Sequence, residues 1–273
     1  MSAILENSSL GKKVSYDSPY APELLFPVPR TMQRKDLNIG ATLPFQGNDI
    51  WTAFELSWLN AKGKPEAALA EFTVDCASPN LIESKSLKLY LNSFSQTHFN
   101  SMQEVANTIT KDLTNASESP VHVNIIPLTQ AHTLPIKEFD GICLDHLDVA
   151  CDTYKVNPAL LTVENTIVEE TVFSHLFKSN CLVTGQPDWG SVQIQYRGKK
   201  LNHENLLRYI VSYRNHQGFH EQCVERLFLD ILKICQPEYL TVYGRYTRRG
   251  GIDINPTRST KTYQNGNIRL HRQ

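Results

Sequence analysis

The chain has 273 residues, of which 41% are hydrophobic, and a formal net charge of -1. This length predicts one large domain or two small ones, with enough apolar residues for a buried core. The near-neutral charge provides no overall attraction to nucleic acid, so direct nucleic-acid binding is not expected. No stretch approaches the ~20 apolar residues of a membrane span, and the N-terminus lacks the apolar run of a signal peptide. We therefore expect a cytoplasmic protein with reduced cysteines and no membrane partner.

The first half of the chain alternates strand and helix patterns. Alternating apolar residues predict a strand over 71–76, and a turn at 79–80 precedes the apolar run 81–90. Apolar residues at helical spacing predict a helix over 102–113, and residues 122–128 form a β-rich run. A join is predicted between about residues 131 and 147, with Pro135 and Gly141 in it.

A polar cluster opens the run 81–90. Glu83, Ser84, Lys85 and Ser86 stand together ahead of apolar residues. Ser84 or Ser86 could cap a helix, whose first amides would then favour an anion. Lys85 and Lys88 are cations suited to a phosphate. The alternative is an ordinary capped amphipathic helix with a solvated face.

In the second half, Cys181 lies seven residues before Asp188 in a turn-rich loop. A thiol is a nucleophile only as its thiolate, and a polar loop is where a usable thiolate could exist. The acid could manage the proton of the thiol or of a substrate nitrogen. The alternative is a buried structural cysteine beside a turn. None of the six cysteines forms a C-x-x-C pair, so neither a zinc knuckle nor a dithiol redox centre is indicated.

His216 and His220 are four residues apart, a spacing that can hold a metal on a helix. Gly218 between them argues against a regular helix, so no metal site is expected. Glu221 could instead accept the ring N–H and amine protons of a heterocycle, with His220 beside it. Otherwise Glu221 only complements a helix dipole.

Two arginines and two glycines follow the β-rich run 239–246. Arg249 and Gly250 lie in this segment, where a guanidinium could bind phosphate and glycine lets the backbone approach an anion. The alternative is a solvated end of the chain. No G-x-G-x-x-G follows a strand, so a nicotinamide cofactor would not be held in the Rossmann manner.

The two halves resemble each other at a shift of 119 residues, which predicts two copies of an α+β module. Each module is expected to be an antiparallel sheet with helices packed on one face, the first over 1–140 and the second over 141–273. At this shift Cys181 falls on Lys62 and Asp188 on Leu69. Polar groups divided between two copies suggest a composite site, although drift of surface loops would look the same.

Residues 83–90, ESKSLKLY, resemble the signature of the QueF family, the NADPH-dependent 7-cyano-7-deazaguanine reductases. The Cys181…Asp188 loop and the segment 219–221 also match that family, and the resemblance extends from about Trp51 to Pro256. It implies the long form with two tandem tunnelling-fold (T-fold) modules. The implied activity, in queuosine biosynthesis, is four-electron reduction of 7-cyano-7-deazaguanine to 7-aminomethyl-7-deazaguanine with two NADPH.

The resemblance also implies residue roles. Cys181 would add to the nitrile carbon to form a thioimide, and Asp188 would donate the proton. The remaining roles are base binding by Ile82, Glu83, Ser84, His220 and Glu221, and NADPH binding by Ser84, Lys85, Arg249 and Gly250. Lys85 and Arg249 come from opposite halves, so NADPH binding is expected to need both modules assembled. A homodimer is implied, and no metal.

Two other classes remain compatible with the sequence. A cysteine-dependent, nitrilase-like hydrolase would form the same thioimide but hydrolyse it to an acid. A non-catalytic T-fold module that binds a purine or pterin would have no need of both Cys181 and Asp188.

Overall fold

The computed structural model describes residues 19–133, 136–263 and 266–273. Two compact units divide the chain. The first comprises Met1–Ala41, Asp49–Pro135 and Arg248–Asp253, and the second Thr42–Asn48, Ile136–Thr247 and Ile254–Gln273. The main boundary between the units falls near residue 135. In addition, residues 42–48 belong to the second unit and residues 248–253 to the first, whereas the sequence predicts uninterrupted modules over 1–140 and 141–273. Pro135 of the predicted join, and the N-terminal residues considered for a signal peptide, lie outside the described residues.

Both units contain strands and α-helices, with two consecutive α-helices between strands in each. The strands are β1 Pro27–Pro29, β2 Asn48–Leu59, β3 Pro65–Asp75, β4 Asn80–Ile82, β5 Val121–Pro127, β6 Ile142–Cys143, β7 Val163–Ser174, β8 Lys178–Asn180, β9 Pro187–Leu201, β10 Tyr239–Tyr246 and β11 Ile252–Ser259. The α-helices are α1 Arg30–Asp36, α2 Ser84–Ser93, α3 Met102–Ser117, α4 His203–Ser212 and α5 His220–Cys235.

In the first unit the strand order is β5-β3-β2, and β1 pairs with β4 in a separate two-stranded sheet. β3 and β5 are antiparallel, with Ala68 opposite Pro127 and Val74 opposite Val121. Helix α3 packs on β5 and β4. It does so through Val105, Ile109 and Leu113, which recur at helical spacing and are buried.

In the second unit the order is β11-β10-β9-β7-β6, and β8 pairs with β9. The neighbours of β9 are antiparallel to it, and the short β6 is parallel to β7. Helix α5 packs on β10 and β9, burying Leu227, Phe228 and Ile231. Each such side chain contributes about 1.5–3 kcal/mol when fully buried. The predicted α+β class, with antiparallel sheets and packed helices, is confirmed.

The internal repeat is visible in the hydrogen bonding of the two units. Helices α2 and α4 have the same length and begin 119 residues apart. The Tyr90 hydroxyl donates to Asp112 Oδ2 at 2.7 Å in the first unit. In the second unit the Tyr209 hydroxyl donates to Asp230 Oδ2 at 2.6 Å. The first pair joins α2 to α3 and the second joins α4 to α5, so the duplication preserves a polar contact between equivalent helices.

A constant shift of 119 does not hold through the strands before these helices. Leu59 donates to Thr97 O and accepts from Phe99 N, and Asn180 has the same two bonds with His216 O and Gly218 N. Leu59 and Asn180 therefore have equivalent positions in the two units. The residues that follow them are equivalent too, so Cys181 corresponds to Asn60 rather than to Lys62. The sheet register likewise pairs Asp188 with Glu66, not Leu69. The predicted pairing was wrong because the second unit has a longer turn and a longer β9, which a constant shift cannot follow.

Candidate active site

Cys181 begins the tight turn that joins β8 to β9. Its backbone N–H donates to Gln186 O at 2.8 Å, and its carbonyl accepts from Gly185 N at 3.0 Å. Gly185 has a φ of +66°, a conformation that glycine adopts without a Cβ penalty. Cys181 itself is half-buried and not in a disulfide. The turn therefore fixes the backbone at Cys181 and leaves part of the residue accessible.

Asp188 lies in β9, where it is opposite Ser179 of β8, and is only 3% exposed. Its Oδ1 lies 3.7 Å from His220 Nε2. The His220 ring stands edge-on to the Tyr246 ring, with the centroids 4.0 Å apart. The short β8–β9 hairpin thus places the acid two strand positions from the turn that carries Cys181, with a histidine beside it.

The segment before α5 is attached to the cysteine turn by main-chain bonds. Asn180 N donates to His216 O at 2.8 Å, and Gly218 N donates to Asn180 O at 3.1 Å. Asn180, the residue that precedes Cys181, makes both bonds. The start of α5, with His220 and Glu221, is therefore held in register with the cysteine turn. Glu221 is in the first helical turn and is 2% exposed.

Cys181 differs in its environment from the two thiols of α5, Cys223 and Cys235. Cys223 is fully buried, and burial raises the pKa of its thiol to about 12. Burial likewise raises the pKa of Cys235 to about 11, and its Sγ donates to Lys199 O at 3.0 Å. Such thiols stay protonated at neutral pH and are poor nucleophiles. Cys181 has the polar, partly accessible position that a nucleophile requires.

Glu83, in the first unit, is fully buried at the start of α2. Its two carboxylate oxygens accept from Lys85 N and Ser86 N, each at 2.8 Å. Burial raises the pKa of Glu83, while these amide bonds and the charges of Lys88 and Lys85 act in the opposite direction. The result is a carboxylate held rigidly in a position that disfavours its charge.

The expectation that Ser84 or Ser86 caps this helix was wrong, because Glu83 is the cap. Ser86 Oγ donates instead to Glu83 O and accepts from Phe26 N. In the equivalent helix α4, Asn202 is the cap, a residue type usual at this position, unlike glutamate. The first amides of α2 already have an anion in Glu83, so they are less suited to a phosphate than predicted.

The residues predicted to bind NADPH all belong to the first unit. Arg249 N and Ile252 O close a tight turn at 2.9 Å, and Gly251 O accepts from Phe54 N at 2.8 Å. The Arg248 guanidinium lies over the Phe54 ring, 4.3 Å from its centroid. A Cβ built on Gly250 would lie 3.1 Å from Lys88 Cδ. Segment 248–253 therefore packs beside α2, so the expectation that Lys85 and Arg249 lie in opposite modules was wrong.

This cluster has the chemistry of a phosphate site. Lys85 and Arg249 are half-buried cations on two segments of one unit. Gly250 is exposed and has a φ of +59°, so its backbone is open to close approach. Guanidinium and ammonium groups are the usual partners of phosphate oxygens. The residues present thus fit the phosphates of a dinucleotide such as NADPH.

The sequence does not predict two side-chain contacts of the second unit. Tyr246, at the end of β10, supplies the ring against His220. Lys178 and Arg214 lie on the Trp189 ring, at 5.9 and 5.7 Å from its centroid. Neither contact has a local signal, because the residues are far apart in sequence and meet only through strand pairing.

Among the described residues, no group of three or more His, Cys, Asp or Glu side chains could hold a metal ion. Within the same residues, no helix is long and apolar enough to span a membrane.

Two family models match the chain. The model described as "Nitrile reductase, 7-cyano-7-deazaguanine-reductase N-term" matches residues 16–125, and that described as "QueF-like protein" matches residues 187–265. Together they cover more than half of the chain, one model for each half. They define a class of nitrile reductases, and they confirm the prediction of the two-module form.

Full-length relatives have the same description. A protein of Legionella pneumophila (strain Lens), named NADPH-dependent 7-cyano-7-deazaguanine reductase, is 54% identical over 274 residues, covering 99% of this chain and 96% of the relative. A protein of that name from Dechloromonas aromatica (strain RCB) is 58% identical over 258 residues, covering 94% and 91%. The chain belongs to the QueF family of NADPH-dependent 7-cyano-7-deazaguanine reductases.

One solved structure, the archaeosine synthase QueF-Like in the apo form, is 18% identical with a TM-score of 0.31. It covers 37% of this chain and 99% of that one.

Proposed function

We propose that this protein reduces the nitrile of 7-cyano-7-deazaguanine to the primary amine with NADPH, through a covalent adduct on Cys181, as a step of queuosine biosynthesis. The observation that carries the mechanism is the β8–β9 hairpin. It holds a partly accessible thiol at its turn and a buried carboxyl, Asp188, in the strand that follows. A nitrile carbon is a poor hydride acceptor. Addition of the thiol sulfur and a proton from the acid would convert the nitrile into a protonated C=N group, which accepts hydride readily.

In the first step the Cys181 thiol passes its proton to Asp188, its sulfur forms a bond to the nitrile carbon, and one π bond of the C≡N group breaks. The nitrogen takes a proton from Asp188, which leaves a neutral thioimide and an aspartate. Bound NADPH supplies hydride, and two NADPH provide the four electrons of the full reduction. When the C–S bond later breaks, the Cys181 thiolate returns for another turnover. His220, 3.7 Å from Asp188, is suited to stabilise the aspartate after proton transfer.

The two buried glutamates are proposed to read the deazaguanine. Glu83 and Glu221 are held at the starts of helices, and their carboxylates can accept the ring N–H and amine protons of the base. Glu83 replaces the asparagine found at the equivalent helix start. Ile82 and Ser84, its neighbours in sequence, are proposed to contribute to the same base site, as is His220.

NADPH is proposed to bind the cluster of the first unit formed by Ser84, Lys85, Arg249 and Gly250. The packing of segment 248–253 beside α2 supports this assignment, because it brings cations and an open glycine together without a Rossmann motif. We further propose that the protein acts as a homodimer, as T-fold modules assemble into larger barrels. A cytoplasmic location accompanies the proposal, because Cys181 must stay reduced.

The decisive experiment is an intact-mass measurement of the protein mixed with 7-cyano-7-deazaguanine in the absence of NADPH. We expect one adduct with the full mass of the nitrile, located on Cys181 by peptide mapping. Addition of NADPH should release the amine and restore the original mass. A hydrolase would instead release the acid and ammonia without consuming NADPH. No adduct and no NADPH oxidation would refute the proposal and favour a binding module.

A further inference from the structure

The first unit contains a pocket at the position equivalent to the cysteine turn of the second. Its volume is about 370 Å³, and Trp58, Asn60, Glu66, Phe99, Met102 and Pro127 are among the residues that line it. That volume is within the range of about 300–1,000 Å³ usual for small-molecule sites. All of its lining residues belong to the first unit.

The equivalence rests on matching hydrogen bonds. Asn60 N donates to Lys64 O, and Asn60 O accepts from Gly63 N, both at 2.9 Å. Cys181 has the same pair of bonds across its own turn, and Gly63 and Gly185 both have positive φ. The sheet register then places Glu66 at the position of Asp188, and Pro127 at that of Tyr246.

The polar edge of the pocket is built around a carboxylate. Asn60 Nδ2 donates to Glu66 Oε1 at 2.9 Å, and Lys64 Nζ lies 2.9 Å from the same oxygen. Within the described residues, Glu66 Oε2 accepts no hydrogen bond. Lys64 and Asn60 hold the pKa of Glu66 below its usual range. The pocket therefore offers a charged acceptor oxygen to a ligand with N–H donors.

Apolar and polar side chains share the walls. Trp58 and Phe99 are nearly buried, Met102 is 38% exposed, and Asn100 and Ser101 are polar parts of the lining. Apolar surface beside polar groups and one carboxylate suits a planar heterocycle that bears an amine or a ring N–H. The amide of Asn60 stands where the second unit has its thiol, and an amide does not add to a nitrile.

We propose that this pocket is a second base site, which binds a guanine-type heterocycle reversibly and without covalent chemistry. The proposal rests on the proposed function only for the choice of probe.

Guanine tests it, because guanine lacks the nitrile and cannot form an adduct. Calorimetric titration of the full-length protein is expected to show two equivalents of guanine per chain. Protein first loaded with 7-cyano-7-deazaguanine on Cys181, without NADPH, should still bind one. Saturation at a single equivalent, lost on loading, would overturn the proposal. If no Cys181 adduct forms, the proposed function fails. The titration of the untreated protein still tests the second site, because it measures how many equivalents of guanine bind per chain.

Variants of Glu66 locate the second equivalent. Glu66→Gln keeps the shape but removes the charge, so it should weaken second-site guanine binding about tenfold or more. Glu66→Asp keeps a carboxylate, as the equivalent residue of the second unit does, and should retain most of the affinity. The glutamate side chain is 38% exposed, so neither change should disturb folding. A second equivalent unaffected by Glu66→Gln would overturn the assignment to this pocket.

Discussion

At the scale of single residues, the chemistry depends on the sulfur of Cys181. Cys181→Ala should abolish nitrile reduction and adduct formation while base binding stays largely intact. Cys181→Ser should be nearly as inactive, because an alkoxide is far less accessible than a thiolate near neutral pH. Cys223→Ala is the matched control, since burial keeps that thiol protonated. Substantial turnover by Cys181→Ala, measured as NADPH oxidation, would contradict a covalent mechanism.

Asp188 supplies the proton that the nitrile nitrogen needs as the adduct forms. Asp188→Asn should bind the base but form the adduct about 10²–10⁴-fold more slowly, the usual cost of losing general acid catalysis. The rate is measured by intact mass over time without NADPH. The asparagine has a similar shape at this buried position, so a structural role would leave the rate near wild type. A wild-type rate of adduct formation would show that Asp188 has only a structural role.

Glu83 should make base binding depend on pH. Its carboxylate accepts two N–H donors of the base only when ionised, and burial raises its pKa above the usual 4.5. The affinity should therefore be full at neutral pH and fall as pH decreases through that raised pKa. Glu83→Gln should weaken binding at neutral pH about tenfold or more and flatten this dependence. The measurement is the base dissociation constant between pH 4 and 7 in the Cys181→Ala background, with the exposed Glu23→Gln as control.

At the scale of elements, the duplicated tyrosine–aspartate pairs hold each helix pair together. Tyr209→Phe removes the bond to Asp230, and Tyr90→Phe removes the bond to Asp112. Each change should lower the free energy of unfolding by about 1.5–3 kcal/mol, the cost of a lost hydrogen bond to a charged group. Tyr154→Phe, at a hydroxyl on an exposed residue, should change it by less than about 0.5 kcal/mol. Urea unfolding would show equal stabilities if these pairs contribute nothing.

At the scale of the whole molecule, the chain returns from its C-terminal half to complete the first unit. Segment 248–253 brings Arg249 beside α2, so Lys85→Ala and Arg249→Ala should each raise the Michaelis constant for NADPH well above tenfold. A lost contact to phosphate is worth about 1.5–3 kcal/mol. Adduct formation at Cys181 should change much less. Lys111→Ala, an exposed cation of the same unit, is the control, and unchanged constants in both variants would assign NADPH elsewhere.

Local sequence patterns predicted the features that depend on residues close together along the chain. Periodic apolar residues predicted the helix that contains 102–113, and the shift of 119 revealed the duplication, because related modules keep their helix lengths. The motif at Glu83–Tyr90 identified the family. Cys181 and Asp188 could be proposed together because a two-strand hairpin keeps residues seven apart in sequence near each other in space.

The folded structure was needed for the features that depend on contacts between distant residues. It placed Arg249 in the first unit, set Tyr246 against His220, and gave Asn60 and Glu66 the positions in the first unit that Cys181 and Asp188 have in the second. Each of these depends on hydrogen bonds or packing between strands and turns far apart along the chain. No local pattern encodes such contacts, because a longer turn or one exchanged segment changes them while periodicity stays the same.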